Sequence, residues 1–290
     1  MKICVIGGAN VDIGASASGP FIAGDSNPGT VTVAPGGVAR NIAHNLTLLG
    51  DKVRLVTVFG DDSFGLMLRE SCAAAGMDLS LSEVRSGARN ACFVSLNGSD
   101  GELLGGVSDM AITELMTPEW LEARIDAINE ADAVVADTNL SVETLSMLIA
   151  CCQPPLYIDA VSCAKVVRLR PALAVSRFPG TGSITLKCNR LEAEALGNLD
   201  FSSVNRIFVS KGSEGVEIIE NADHSHYPAS ASAGIVSTTG AGDALLAGIV
   251  HCGPDVPARE AADFGQKCAV KALLSASPVS DKMKELRKKA

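Results

Sequence analysis

The sequence predicts an α/β protein built on a mostly parallel sheet with helices on both faces. Three observations carry this. Apolar, β-branched runs recur at Ile3 to Ile6, Val53 to Val58, Ala133 to Ala136, Leu156 to Ile158, Ile184 to Leu186 and Ile207 to Val209. Amphipathic stretches with helix start and stop signals separate them, and strands that are apolar on both sides belong in a sheet buried on both faces. Hydrophobic residues make up 47% of the 290, enough to fill a sizeable core. The chain reads as one domain spanning 1–290.

The elements follow in order. The opening MKICVIGGANVDIG reads as a strand with no charged leader or cleavage site, and no apolar run reaches the roughly 18 residues a membrane span needs. A soluble cytoplasmic protein is expected. Gly36-Gly37 precede a helix from Val38 to Leu49 that Gly50 closes; Phe64 to Ala75 is another, closed by Gly76. Thr117-Pro118 opens a helix through Trp120 and Ile128, Ser141 caps one that ends before Pro154-Pro155, and a last helix covers about 258–274.

Two stretches break this rhythm. Thr30 to Val33 alternates with period two, and so does Ala91 to Leu96, which leads through Asn97-Gly98 and Asp100-Gly101 to Leu103 and Leu104. They predict a small antiparallel β lid inserted at about 14–35 and 87–110. Closure of such a lid would exclude water from a site beneath it.

Composition narrows the function. A net charge of -9 argues against a nucleic-acid surface, and the basic run at 282–289 reads as a solvated helix end. Nine cysteines without a C-x-x-C spacing predict core thiols in a reducing compartment rather than a disulfide framework. His224 and His226 read as a polar turn tip rather than a metal pair.

The chemistry-bearing stretch is Thr239-Gly240-Ala241-Gly242-Asp243, which runs into an apolar helix beginning near Ala244. Two glycines and an alanine let the backbone turn tightly and aim several N–H groups at one point, which suits an anion. Asp243 would repel that anion, so it reads either as a proton acceptor beside a transferring phosphoryl group or as a plain helix cap. Neither a G-x-x-x-x-G-K-[ST] loop nor a G-x-G-x-x-G fingerprint is present, which disfavours P-loop kinases and dinucleotide-binding dehydrogenases.

Five stretches in order resemble the ribokinase/PfkB carbohydrate kinase family. They are Asn10-Val11-Asp12, Gly36-Gly37-Val38-Ala39-Arg40-Asn41-Ile42-Ala43, Phe59-Gly60-Asp61-Asp62-Ser63-Phe64-Gly65, Asn189-Arg190-Leu191-Glu192, and Thr238-Thr239-Gly240-Ala241-Gly242-Asp243. Further stretches, including 25–29, 108–110, 136–140 and 159–165, resemble the branch that acts on pseudouridine. The resemblance implies a ribokinase-like three-layer sandwich with the lid, and an ATP-dependent kinase that phosphorylates the 5′-hydroxyl of pseudouridine. Ribose, uridine or adenosine is the alternative acceptor, and a sugar-binding protein without the chemistry is a third reading that an intact Asp243 speaks against.

Roles follow residue by residue from that resemblance. Asp243 would be the base, with Gly240, Ala241 and Gly242 as the anion hole. Asp12, Gly37 and Asn41 would hold the sugar, an acid and an amide being natural readers of a vicinal diol. Ser26, Asn27, Asp109, Asn139 and Lys165 are candidates on the substrate side; Lys165 reads equally as a surface ion pair and Asp109 as a lid hinge. Asn189, Lys211, Gly212, Gly215 and Thr239 would lie along ATP, near the helix at 262–272. Lys211 reads either as a phosphate contact or as a solvent-facing cation. Glu192 with Asn189 would organise Mg2+ through waters.

Three departures from the family pattern have consequences. Ser237 stands where an Asp helps hold a monovalent cation, which puts potassium activation in doubt. Cys188 replaces a proline before Asn189. The connection from Leu196 to Arg206 is short, so a homodimer partner or the C-terminal segment is expected to cover the sheet there.

Overall fold

The computed structural model describes residues 1–175, 182–197, 203–229 and 234–287. The strands run β1 (Lys2–Ile6), β2 (Asn10–Ala17), β3 (Gly29–Gly36), β4 (Lys52–Val56), β5 (Val58–Gly60), β6 (Glu83–Arg85) and β7 (Cys92–Asn97). They continue with β8 (Leu103–Asp109), β9 (Ala133–Asp137), β10 (Leu156–Asp159), β11 (Ile184–Asn189), β12 (Arg206–Ser210), β13 (Val216–Glu220) and β14 (Asp223–Tyr227). The helices are α1 (Val38–Leu49), α2 (Ser63–Ala74), α3 (Pro118–Glu122), α4 (Ile125–Asn129) and α5 (Val142–Cys151). After them come α6 (Cys163–Val166), α7 (Leu169–Val175), α8 (Arg190–Leu196), α9 (Ala241–Cys252) and α10 (Ala258–Leu273).

Eight strands form the central sheet in the order β14-β13-β12-β11-β10-β9-β1-β4. It is parallel from β4 to β12, and β13 and β14 add antiparallel pairs at one edge. Alternate residues face opposite ways, so Cys4 and Ile6 join one core while Ile3 and Val5 join the other. Each face carries helices, giving the three-layer arrangement expected of an α/β chain.

The lid is a four-stranded sheet ordered β3-β2-β7-β8. Both outer pairs are antiparallel and the central β2–β7 pair is parallel. One face carries Val33, Ile13, Val94 and Val107 side by side; the other carries Ala34, Asp12, Phe93 and Ser108. The lid therefore turns Asp12 one way and a valine row the other.

Helix α1 has the expected bounds, with Gly50 as a left-handed C-cap at φ 102°. Other elements depart from expectation. The run Val53 to Val58 is two strands: β4 pairs with β1, and β5 turns away to pair with β6. The helix through Trp120 and Ile128 breaks into α3 and α4, because Arg124 spends its guanidinium on the Leu81 carbonyl at 2.9 Å and the Trp120 carbonyl at 2.6 Å. His224 and His226 lie in strand β14 rather than at a turn tip, and His224 Nδ1 meets Glu217 at 2.8 Å. The β13–β14 hairpin turns on Asn221 and Ala222, both left-handed at φ 54° and 65°, without the glycine that would have announced it. The tail forms a 3-10 turn, Asp281–Leu286, whose Met283 is buried against α1 and α10. The short 196–206 connection includes 198–202, which lie outside the described residues.

Asp62 ties two elements together. Its Oδ1 caps α2 by accepting from Gly65 N–H at 2.9 Å, and its Oδ2 accepts from Asn90 N–H at 3.0 Å. Asp62→Ala is expected to cost about 1–2 kcal/mol, the loss of a cap and a loop tether. Urea denaturation should show this as a lower midpoint with an unchanged slope.

Candidate functional site

The site lies where the C-terminal ends of β9, β10 and β11 meet the N-termini of α1 and α9. Loops at this end of a parallel sheet form a crevice, and helix starts point their unpaired N–H groups into it. Gly240 caps α9 at φ 79°, a left-handed turn open to glycine, and the helix begins at Ala241, a turn earlier than the apolar pattern indicates. Gly37 starts α1 at φ 101°, with the Gly8 carbonyl 2.5 Å from where its Cβ would be.

These two helix starts bring Asn41 and Asp243 together. Asn41 Nδ2 donates to Asp243 Oδ2 at 2.9 Å, and Asn41 Oδ1 accepts from Arg40 Nη1 at 2.8 Å. Arg40 also reaches the Pro35 carbonyl, tying α1 to the end of lid strand β3. Asp12 lies against Gly36 at that same strand end, its Oδ1 accepting from Asn10 Nδ2 at 2.6 Å. Burial raises the Asp12 carboxyl above its ordinary range, against the Asn10 bond and the Arg40 charge.

Sequence reasoning missed the charge beneath this cluster. Lys187, on β11 and 6% exposed, pairs with Asp159 at 3.0 Å, and its ammonium is 2.7 Å from where a Cβ on Gly242 would be. Burial opposes its charge, but the carboxylates of Asp159, Asp243 and Glu192 outweigh burial and hold the lysine above its usual range. Burial, then the Asp159 charge, push Asp243 up to about 7, with Lys187 and the Asn41 bond pulling the other way. The available signal was a lysine inside the apolar run ITLKC.

A second missed residue, Asp137, is a buried junction. Its Oδ2 accepts from Gly8 N–H at 3.0 Å and Ala39 N–H at 3.2 Å, and its Oδ1 accepts from Asn139 N–H at 2.9 Å. It thereby locks the β1–β2 loop, the start of α1 and the loop after β9 to one another.

The other candidate residues fall in different surroundings. Asn189 and Glu192 form a reciprocal capping box at the start of α8, at 2.9 and 2.7 Å, and burial raises the Glu192 carboxyl. Asn189, Gly212 and Gly215 line a cavity of about 390 Å³ beside Ala241 and Gly242, walled by Leu245, Ala269, Val270 and Leu273. Thr238 rather than Thr239 lines it, and Thr239 N–H donates to Ser237 Oγ at 3.2 Å. Lys211 is not in that lining; it pairs with Glu217 at 2.6 Å. Ser26 and Asn27 sit in the loop from β2 to β3, where Asn27 bonds both backbone groups of Ile22. Asp109 ends β8, accepting from Ala111 N–H at 3.3 Å, and shares a cavity with Asn139 and Lys165.

Among the described residues no cluster of three or more His, Cys, Asp or Glu side chains could cage a metal.

Parallel sheet, amide-rich helix start and adjoining apolar cavity define a ribokinase-like kinase. The chain belongs to the pfkB family of carbohydrate kinases, whose model matches residues 1–284. It is 33% identical over 288 residues to a pseudouridine kinase of Escherichia coli (strain K12), covering 93% of this chain and 90% of that one. A carbohydrate kinase from Agrobacterium tumefaciens superposes with a TM-score of 0.82 at 28% identity, over 98% of this chain and 95% of its own. An Arabidopsis thaliana ribokinase complexed with ribose and ATP shares the fold, with a TM-score of 0.82 at 17% identity over 99% of both chains. These relatives identify an ATP-dependent carbohydrate or nucleoside kinase. No helix of the described residues is long and apolar enough to cross a membrane.

The opposed charges around Asp243 make a prediction that needs no activity assay. A 13C NMR titration of the aspartate carboxyls should find Asp243 titrating near 7. Lys187→Met should raise that midpoint by removing a cation, and Asp159→Asn should lower it by removing an anion.

Proposed function

We propose that this chain transfers the γ-phosphoryl group of ATP to the 5′-hydroxyl of pseudouridine. The observation that carries the reading is the 2.9 Å bond from Asn41 to Asp243 at the start of α9. In this reading the bond holds an amide that would read the diol against an acid beside the N–H groups that would bind the anion. Asp12 and Asn41 would hold the ribose hydroxyls and leave the 5′-oxygen facing Asp243. Asp243 would accept the hydroxyl proton, while the N–H groups of Gly240, Ala241 and Gly242 steady the phosphoryl group in transit.

The cavity beside Ala241 and Gly242 suits ATP. Its apolar wall can take the purine, and Gly212 and Gly215 allow close approach of the backbone. Gly215 has φ 105°, and a Cβ there would collide with the Tyr227 carbonyl, so the loop requires glycine. Bound Mg2+ would neutralise phosphate charge, held through water by Glu192 and Asn189.

The reading includes a reducing cytoplasmic setting, in keeping with nine free thiols. It also includes a homodimer, because the lid's valine row leaves Val33 50% and Val107 71% exposed at its two ends, more than a monomer comfortably shows in one row. Sedimentation velocity should give a dimer that Val107→Asp dissociates; a monomer at micromolar wild-type protein would remove that part.

Purified protein should consume ATP on pseudouridine in preference to uridine, ribose or adenosine. Preference for another acceptor reassigns the substrate. Asp243→Asn should lower kcat by about 10²–10⁴-fold while nucleoside binding survives. Full turnover in that variant would refute the assigned base. If Asp243 is the base, kcat/KM should fall as pH drops through about 7, because protonation removes the acceptor.

A further inference from the structure

Beside the sugar site, under the end of β8, lies a cavity of about 280 Å³ lined in part by Ser108, Asp109, Met110, Asn139, Lys165 and Arg168. Its polar wall is tightly built. Asn139 is 4% exposed, and its N–H is taken by Asp137 at 2.9 Å. Arg168 Nη1 donates to the carbonyls of Thr138, Asn139 and Leu140 at 3.1, 2.9 and 3.0 Å. With the backbone clamped on both sides, the side-chain amide of Asn139 is held on a rigid base.

Lys165 sets the direction of that amide. Its ammonium donates to Asn139 Oδ1 at 2.5 Å, and an ammonium has no lone pair to accept with. The amide oxygen therefore faces Lys165, and the amide nitrogen faces away, over Gly8 and toward the Asp137 carboxylate, which takes one of its two N–H groups and leaves the other. Asn139 Nδ2 is 2.8 Å from where a Cβ on Gly8 would be, and Met110 Cε is 3.3 Å from that point. The Gly8 carbonyl in turn packs against Gly37, which opens the helix carrying Asn41. The amide and the sugar-binding helix thus share a wall.

We infer that Asn139, oriented by Lys165, reads the base of the acceptor nucleoside and selects rings that present a carbonyl oxygen over rings that present an amino group. The inference rests on the proposed nucleoside kinase activity and assigns its base specificity. Asn139 Nδ2 and the spare N–H groups of Lys165 are all donors. An oxo group accepts from them, whereas the amino group of cytosine or adenine sets donor against donor and leaves buried polar groups unpaired. The acids in the cavity do not reverse this. Asp109 accepts from Ala111 N–H and pairs with Arg89 at 3.8 Å, and Glu114 is exposed. Uracil carries a carbonyl on each side of its N3–H, so it offers an acceptor in either ring orientation. The pair therefore separates oxo from amino bases and leaves pseudouridine and uridine alike.

The test compares kcat/KM for uridine against cytidine and inosine against adenosine, with pseudouridine as reference. Wild-type protein should favour the oxo member of each pair by about 10²-fold or more. Lys165→Met removes the lysine donors and one of the two groups that fix the amide, and should bring the ratio below about 10, with the loss on pseudouridine falling on KM more than on kcat. Lys165→Arg should restore the preference. Asn139→Asp, which keeps the shape and an ion pair with Lys165, should also abolish it by replacing a donor with an acceptor. Wild-type protein without an oxo preference, or an unchanged ratio in both Lys165→Met and Asn139→Asp with pseudouridine still phosphorylated, overturns the inference and leaves the kinase activity standing. Turnover of ribose with no turnover of any nucleoside overturns the nucleoside kinase reading and this inference with it.

Discussion

One buried ammonium makes the site possible. Three acids, Asp159, Asp243 and Glu192, act on Lys187 within a region closed to water. Carboxylates in such a place are costly unless paired, and burial alone drives them toward the neutral acid. Lys187 answers with a single positive charge, tied to Asp159 and lodged under Gly242. The result is an imbalance: more negative than positive charge, and an Asp243 poised near neutral pH rather than fully ionised. A group poised there can take a proton and return it, which suits a base.

The sheet makes this clustering cheap. β9, β10 and β11 are parallel neighbours, so their C-terminal ends deliver Asp137, Asp159 and Lys187 to one edge without any loop having to reach. Asp159 is paired in register with Asp137 on one side and Lys187 on the other. Each strand end then passes into a loop fixed by buried hydrogen bonds, those of Asp137 above all. The lid adds the remaining groups from outside, since Asp12 belongs to its inner face and Arg40 fastens the end of β3 to α1.

The Asn189–Glu192 box shows how structural and functional readings can share residues. The two side chains close the first turn of α8, and Asn189 also lines the apolar cavity. A capping box holds both groups still, and in the proposed reading the fixed carboxylate would help to hold a hydrated cation on a phosphate.

Local signals determined a good part of this protein. Six apolar runs marked the parallel strands of the core, Gly37 and Gly50 bounded α1, and Asp243 stood out as an acid in a glycine-rich turn, because strand burial, helix ends and tight turns are each written in a few adjacent residues. Arg124 splitting a helix and the turning away of β5 were not legible, since they depend on Leu81 and on β6, distant in the chain, and the Asn221-Ala222 hairpin was not because its left-handed turn carries no glycine. Lys187 looked like an interruption in an apolar strand until Asp159 and Asp243 came to lie beside it, 28 and 56 positions away. Only the tertiary structure decided the charge balance, because electrostatic energy depends on distance in space and the chain order carries no such distance.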